Sequence, residues 1–411
     1  MTNAWTLWRR GSTTLAPVVI SVAGCASASS RSSAETGGGA VLGAATRPQL
    51  SDLEAAEHTV QKYLEKSGDL AGLVADGWDP TGGVGEVASF TARFTVASEG
   101  GSHASVQAAI DAAVSAGGER VYIEMEAGTY RETVCVPRNA PPITLYSRSS
   151  DAAETVIVFD NFSGKEKQAG APANLCNPNT DGTTFGTSGS ATFAAYAPDF
   201  QAKNLTFAND TDEAAAGSSV QAVALMTQAD RLVFENVRVL GNQDTLLVKT
   251  PDVTTVWRAY FKDCYVEGDT DFVFGRGTAV LDGCTIHSLT SRTANGVVVA
   301  PSTDSRNPYG ILVAKGTFTA DAAAEPGSTH LGRAWDEGQV DVPTYVANVA
   351  SGVYPNGQAL VRESVLGVHV QGTAPWRSAA TTSRPHRSSD GDYPANRLFE
   401  YGNSGPGSVA P

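Results

Sequence analysis

The chain has 411 residues, 41% apolar and 18% charged, enough for one large core or two ordinary ones. Its net charge of −14 argues against a nucleic-acid partner, because phosphate contacts need a basic face. The same charge disfavours a polyanion held mainly by electrostatics.

In chain order, the N-terminus reads first as a processing segment. Trp8, Arg9 and Arg10 close a basic stretch, an apolar run follows from Leu15 to Val22, and "VAGC" ends at Cys25. The run is too short to cross a bilayer. Small residues before a Cys resemble a bacterial lipoprotein signal, with residues 1–24 removed and Cys25 lipidated. An ordinary secretory signal with a chance Cys is the alternative. Ala26, rather than Asp, after the Cys favours the outer membrane of a Gram-negative host. Residues 25–49, rich in Ser, Ala, Gly and Thr, read as a flexible tether to a single domain at 50–411. The expected protein is exported, in the outer membrane or periplasm, a monomer that touches the membrane only through its lipid.

Ser51 with Glu54 three residues on predicts a capped helix over "SDLEAAEHTVQKYLEK". A second helix is expected over 105–117, ended by Gly117–Gly118. Short β runs follow, "RVYIEM", "ITLYSR" and "TVIVFD". Then a hexad recurs: "AKNLTF" (202–207), "FENVRV" (234–239), "FKDCYV" (261–266), "LDGCTI" (281–286) and "VAKGTF" (313–318). The hexads end 32, 27, 20 and 32 residues apart. Loosely periodic short strands that cannot bury their own apolar faces predict an all-β fold, a parallel β-helix with short N-terminal helices. A β-sandwich is the rival, disfavoured by irregular spacing and few hairpin turn pairs. Excluding Cys25, Cys135, Cys176, Cys264 and Cys284 allow three pairings. Cys264 and Cys284 hold the fourth position of neighbouring hexads, so stacking predicts a disulfide between them; whether Cys135 and Cys176 pair stays open.

Two acids stand out. Asp244 in "GNQDTL" (241–246) and Asp271 in "GDTDFVFG" (268–275) are 27 residues apart, one local coil step, so a solenoid would set them side by side. A lone turn Asp at each corner is the bland alternative. Together with "GTYRE" (128–132), "QAVAL" (221–225) and "LGRAW" (331–335), these segments resemble carbohydrate esterase family 8, the pectin methylesterases, in family order over most of residues 90–370. "NTDGTTFGTSGSATF" (179–193) and "LGRAW" resemble a branch holding outer-membrane pectinesterases and acyl-CoA thioesterase-like proteins.

The resemblance implies a right-handed parallel β-helix that releases methanol from methylated pectin or oligogalacturonides. It implies Asp271 as nucleophile, oriented by Arg333, and Asp244 as general acid and base. Gln221 and Gln243 would be oxyanion donors, and Trp335 and Phe272 surfaces for sugar faces. The chemistry suits the residue types. An ionised carboxylate attacks and an arginine holds its charge. A neighbouring acid in a partly dry cleft keeps its proton, and an amide offers N–H without adding charge. Ala334 and Leu247 depart from the family's usual Pro and frequent aromatic, and the latter implies a preference for short oligomers over polymer. No cofactor or metal is expected: the six histidines show no ligand spacing. "NTDG" matches one polygalacturonase segment without its companions, and no Gly-x-Ser-x-Gly elbow supports a serine esterase. The remaining rivals are a thioesterase-like hydrolase and a non-catalytic sugar-binding β-helix.

Overall fold

The computed structural model describes residues 42–167, 174–179, 181–217, 219–290 and 292–409. The processing segment and Cys25 lie outside the described residues. Among the described residues the strands form sheets of twelve, eight and seven strands, plus a small three-stranded one. The three large sheets run the length of a right-handed parallel β-helix, in which each coil contributes a strand to each sheet.

The hexads mark its corners rather than its strands. Gln201–Lys203 lies in the first sheet and Thr206–Asn209 in the second, with "AKNLTF" bridging them. Leu232–Glu235 and Arg238–Leu240 repeat this one coil on, as do Arg258–Lys262 and Tyr265–Gly268. The third hexad residue turns the corner in the left-handed region: Asn204 at φ 61°, Asn236 at 49°, Asp263 at 52°, Gly283 at 67° and Lys315 at 53°. Asn, Asp and Gly enter that region at least cost. The fourth residue then points inward, so Leu205, Val237, Cys264 and Cys284 are all buried.

Inside, equivalent positions stack. Ala202, Phe234, Phe261 and Leu281 pair in register down the first sheet. The Phe234 and Phe261 rings lie 4.7 Å apart with planes 8° from parallel. Burying each ring stabilises the fold by about 2 kcal/mol. Helix Val106–Ala116, capped by Ser105, packs Val106, Ala109, Ile110 and Ala113 against the first coils.

Three expectations need correction. The helix expected over 51–66 is two, Asp52–Ala56 with the Ser51–Glu54 capping box and Val60–Leu64 capped by Thr59. Thr59 is extended at φ −80° and ψ 162°, and its side chain takes the Lys62 N–H, which starts a new helix. The tether does not reach 49: Leu42–Ala44 and Arg47–Gln49 form a hairpin on the end of the first sheet. Arg47 pins it there through two 2.8 Å bonds to Glu400.

The third correction is the disulfide. Cys135 pairs with Cys176, while Cys264 and Cys284 are free and buried. The two thiols do stack, since Tyr265 pairs with Thr285. Neighbouring strands lie about 4.8 Å apart with parallel side chains, whereas a disulfide draws its Cβ atoms to about 3.8 Å. Cys284 Sγ instead accepts from the Cys264 N–H at 3.4 Å, and Cys264 Sγ donates toward the Phe234 carbonyl at 3.4 Å.

Candidate active site

The site lies on the outer face of the third sheet. Strand Leu246–Val248 pairs with Thr270–Gly275, Leu246 opposite Val273, and Gln243 bridges Thr270. That register sets Asp244 opposite Asp271 on adjacent coils, as the spacing predicts. Both are left-handed, φ 65° and 49°. The kink at Asp271 interrupts strand alternation, and the pairing with Gly296–Pro301 shifts between Thr270 and Val273. Asp271 thereby faces the cleft while Phe272 and Val273 both join the core. Gly275 closes the motif at φ 124°, where a Cβ would collide with the Val248 carbonyl.

The cleft measures about 330 Å³ and is lined by Gln221, Gln243, Asp244, Asp271, Arg333 and Trp335. Phe272 is not among them; it is fully buried in the interior. Phe274 lines the cleft in its place, with its ring 5.6 Å from that of Trp335. Met226, Leu247, Phe274 and Ala300 stack in register as an apolar strip beneath the cleft. Thr187 and Thr381 complete the walls. Strict alternation would put Phe272 and Phe274 on one face; the bulge sends Phe272 into the core and leaves Phe274 in the cleft, which the sequence did not reveal.

Arg333 follows strand Thr329–Gly332 and is placed by its N–H bond to the Val299 carbonyl at 3.0 Å. Its Nε lies 3.0 Å from Asp271 Oδ1, and its terminal nitrogen 2.6 Å from Oδ2. This fork-on-carboxylate contact is among the strong charge-assisted bonds. Asp244 is 8% exposed, and its carboxyl makes no hydrogen bond with any described residue. Burial pushes its pKa well above the usual carboxylate range; the Asp271 charge, then Glu213, push the same way, against Arg333 and Arg292.

Gln221 stands one coil before Gln243, where the Ala222 N–H donates to the Gln243 carbonyl at 3.1 Å. The Gln243 N–H is taken by Glu213 at 3.0 Å. Glu213 is buried, which pushes its pKa up to about 7, while the Gln243 N–H and Arg292 pull it down. Chemically, the cleft joins one arginine-bound carboxylate, one carboxyl that favours its proton, and two amides. That is a set for acyl transfer.

A pectinesterase family profile matches residues 93–359. A pectinesterase of Ralstonia solanacearum is 46% identical over 90% of this chain and 93% of its own. The structure of rice weevil pectin methyl esterase superposes with a TM-score of 0.75 at 33% identity, covering 89% of this chain and 98% of that one. The putative acyl-CoA thioester hydrolase YbhC of Escherichia coli is 29% identical over 89% of this chain and 90% of its own. Fold and likeness together define a carboxylic ester hydrolase built on a β-helix. The chain belongs to the pectinesterase family.

Proposed function

We propose that the protein hydrolyses galacturonate methyl esters in pectin or methylated oligogalacturonides, with Asp271 as nucleophile and Asp244 as general acid and base. The observation that carries this reading is the unequal treatment of two stacked acids: Arg333 grips Asp271, while Asp244 is buried without a hydrogen bond among the described residues.

An Asp271 oxygen attacks the ester carbonyl carbon, and the carbonyl electron pair moves onto oxygen. Gln221 and Gln243 donate N–H to that oxyanion. As the tetrahedral centre collapses, the bond to methoxide breaks and Asp244 gives it a proton, releasing methanol. The product is an anhydride between Asp271 and the uronate. Asp244, now a carboxylate, takes a proton from water, whose oxygen attacks the uronyl carbon and frees Asp271. Asp244 ends protonated, ready for the next turn. Trp335 and Phe274 offer apolar surface to the sugar ring.

Methanol release from methylated oligogalacturonides and high-methyl pectin, and free CoA thiol release from palmitoyl-CoA, compared by kcat/KM, test the reading. The sugar ester is expected to be fastest, with oligomer ahead of polymer because Leu247 offers no ring. Faster thioester turnover would overturn the assignment, and polymer ahead of oligomer would overturn the length preference. We further propose export as a monomer with lipid on Cys25, which the Cys135–Cys176 disulfide suits because such bonds persist in oxidising compartments. Cys25→Ser is expected to release the protein into the soluble periplasm; unchanged detergent-phase partitioning would count against the lipid.

A further inference from the structure

Behind Gln243 lies a charged cluster that the ester chemistry above does not use. Arg292 sits in the connection between strands Thr285–Ser288 and Gly296–Pro301. It donates from Nε at 2.8 Å and from a terminal nitrogen at 2.6 Å to the two oxygens of Asp269. Its Nε also lies 2.9 Å from a Glu213 oxygen, and the side chains of both acids are 0% exposed. Two buried carboxylates around one guanidinium are costly to assemble, so the cluster is a weak device for stability alone.

Its contacts converge on Gln243 and the peptide that precedes it. Glu213 accepts the backbone N–H of Gln243 at 3.0 Å, and the Asp269 N–H donates to the Asn242 carbonyl at 3.0 Å. The terminal nitrogen of Arg292 reaches the side-chain oxygen of Gln243 at 3.4 Å. A guanidinium only donates, whereas an amide has one accepting end and one donating end. Contact with Arg292 therefore selects the amide rotamer whose oxygen faces the cluster, leaving the NH2 group for the cleft. The flipped amide would set N–H against N–H.

We propose that Arg292, held by Asp269 and Glu213, is a positioning residue that fixes the Gln243 amide so that its N–H points at the ester oxygen. This rests on reading Gln243 as an oxyanion donor. The role concerns an interaction made in the transition state, so it shows in kcat more than in KM.

The test is a double-mutant cycle on a methylated oligogalacturonide, with Arg292→Lys and Gln243→Ala singly and together, and thermal unfolding followed for each. Arg292→Lys keeps the charge but not the fork. It is expected to lower kcat about 10- to 100-fold with KM within about threefold, and to cost nothing further in the Gln243→Ala background. Asp269→Asn, isosteric with the native residue, is the second variant should Arg292→Lys fold poorly, and is expected to show the same cycle with a smaller factor. An equal loss from Arg292→Lys with and without Gln243, or a rise in KM alone, would overturn the positioning role and leave the oxyanion reading standing. A Gln243→Ala enzyme with unchanged kcat would overturn the oxyanion reading and this proposal with it.

Discussion

Arg258 and Arg333 each clasp an aspartate, yet their surroundings differ. Arg258 is 0% exposed and lies over the Trp78 ring at 4.9 Å. It spends its N–H groups on Asp230, Asp76 and the Leu64 carbonyl. The Arg258 hydrogen bond holds Asp76 down at about 2. Among the described residues the Arg333 guanidinium bonds only to Asp271, and the acid stacked beside it is pushed the other way, chiefly by its own burial. A saturated cluster fastens helix Val60–Leu64 and the segment around Asp76 to the first sheet. An unsaturated one holds a single carboxylate and leaves beside it a buried carboxyl that favours its proton, the arrangement on which the proposed chemistry rests. Saturation, rather than the presence of a buried ion pair, separates scaffold from site.

The largest expected effect comes from breaking the reactive side. Asp271→Ala is expected to cut kcat by about 10⁴-fold or more with the fold intact; circular dichroism and substrate binding check the second clause, and near-native turnover would remove the role. Asp244→Asn is expected to lower kcat about 10²- to 10⁴-fold, because an amide cannot deliver a proton. Wild-type activity should fall as pH rises through the raised pKa of Asp244, and that limb should be missing from the residual activity of the variant. Breaking the structural side should do the reverse. Arg258→Met strips buried Asp230 of its guanidinium and leaves it only the position-258 backbone N–H and Arg231 at 3.8 Å, with an expected loss of about 3 kcal/mol in denaturant unfolding, while kcat of the folded fraction stays near wild type.

A smaller effect sharpens the comparison through pH. Asp76 has a depressed folded pKa, so its stabilisation is complete above the ordinary carboxylate range and is lost as pH falls toward about 2. Asp244 has a raised one. As pH rises through the ordinary range the unfolded chain releases this proton while the folded chain keeps it, so stability declines until the folded pKa is passed. Asp244→Asn is therefore expected to raise Tm at neutral pH but not below pH about 3. An equal change in Tm at both pH values would contradict this.

Much of this was legible in the chain. The hexads betray the solenoid because four of the five corners place Asn, Asp or Gly at positive φ followed by a residue that points inward, as at Asn204–Leu205 and Asp263–Cys264. The acid pair is legible because one coil step separates Asp244 from Asp271. Phe272 misled because the left-handed Asp271 resets which face the following residues occupy. The Cys264–Cys284 bond misled because stacking brings side chains alongside without turning them toward each other. Arg292 carried no signal, since its partners Glu213 and Asp269 meet it only through the coils.

The central claim is that Asp244 holds a proton beside a charged, arginine-bound Asp271. Carbon-13 NMR of aspartate-labelled protein, with the Asp244 side-chain carboxyl assigned by its loss in Asp244→Asn, measures this directly as a function of pH. The expected result is a midpoint well above the free-carboxylate range that drops when Asp271 is replaced by Asn. A midpoint within the ordinary range, or one indifferent to Asp271, would contradict the account.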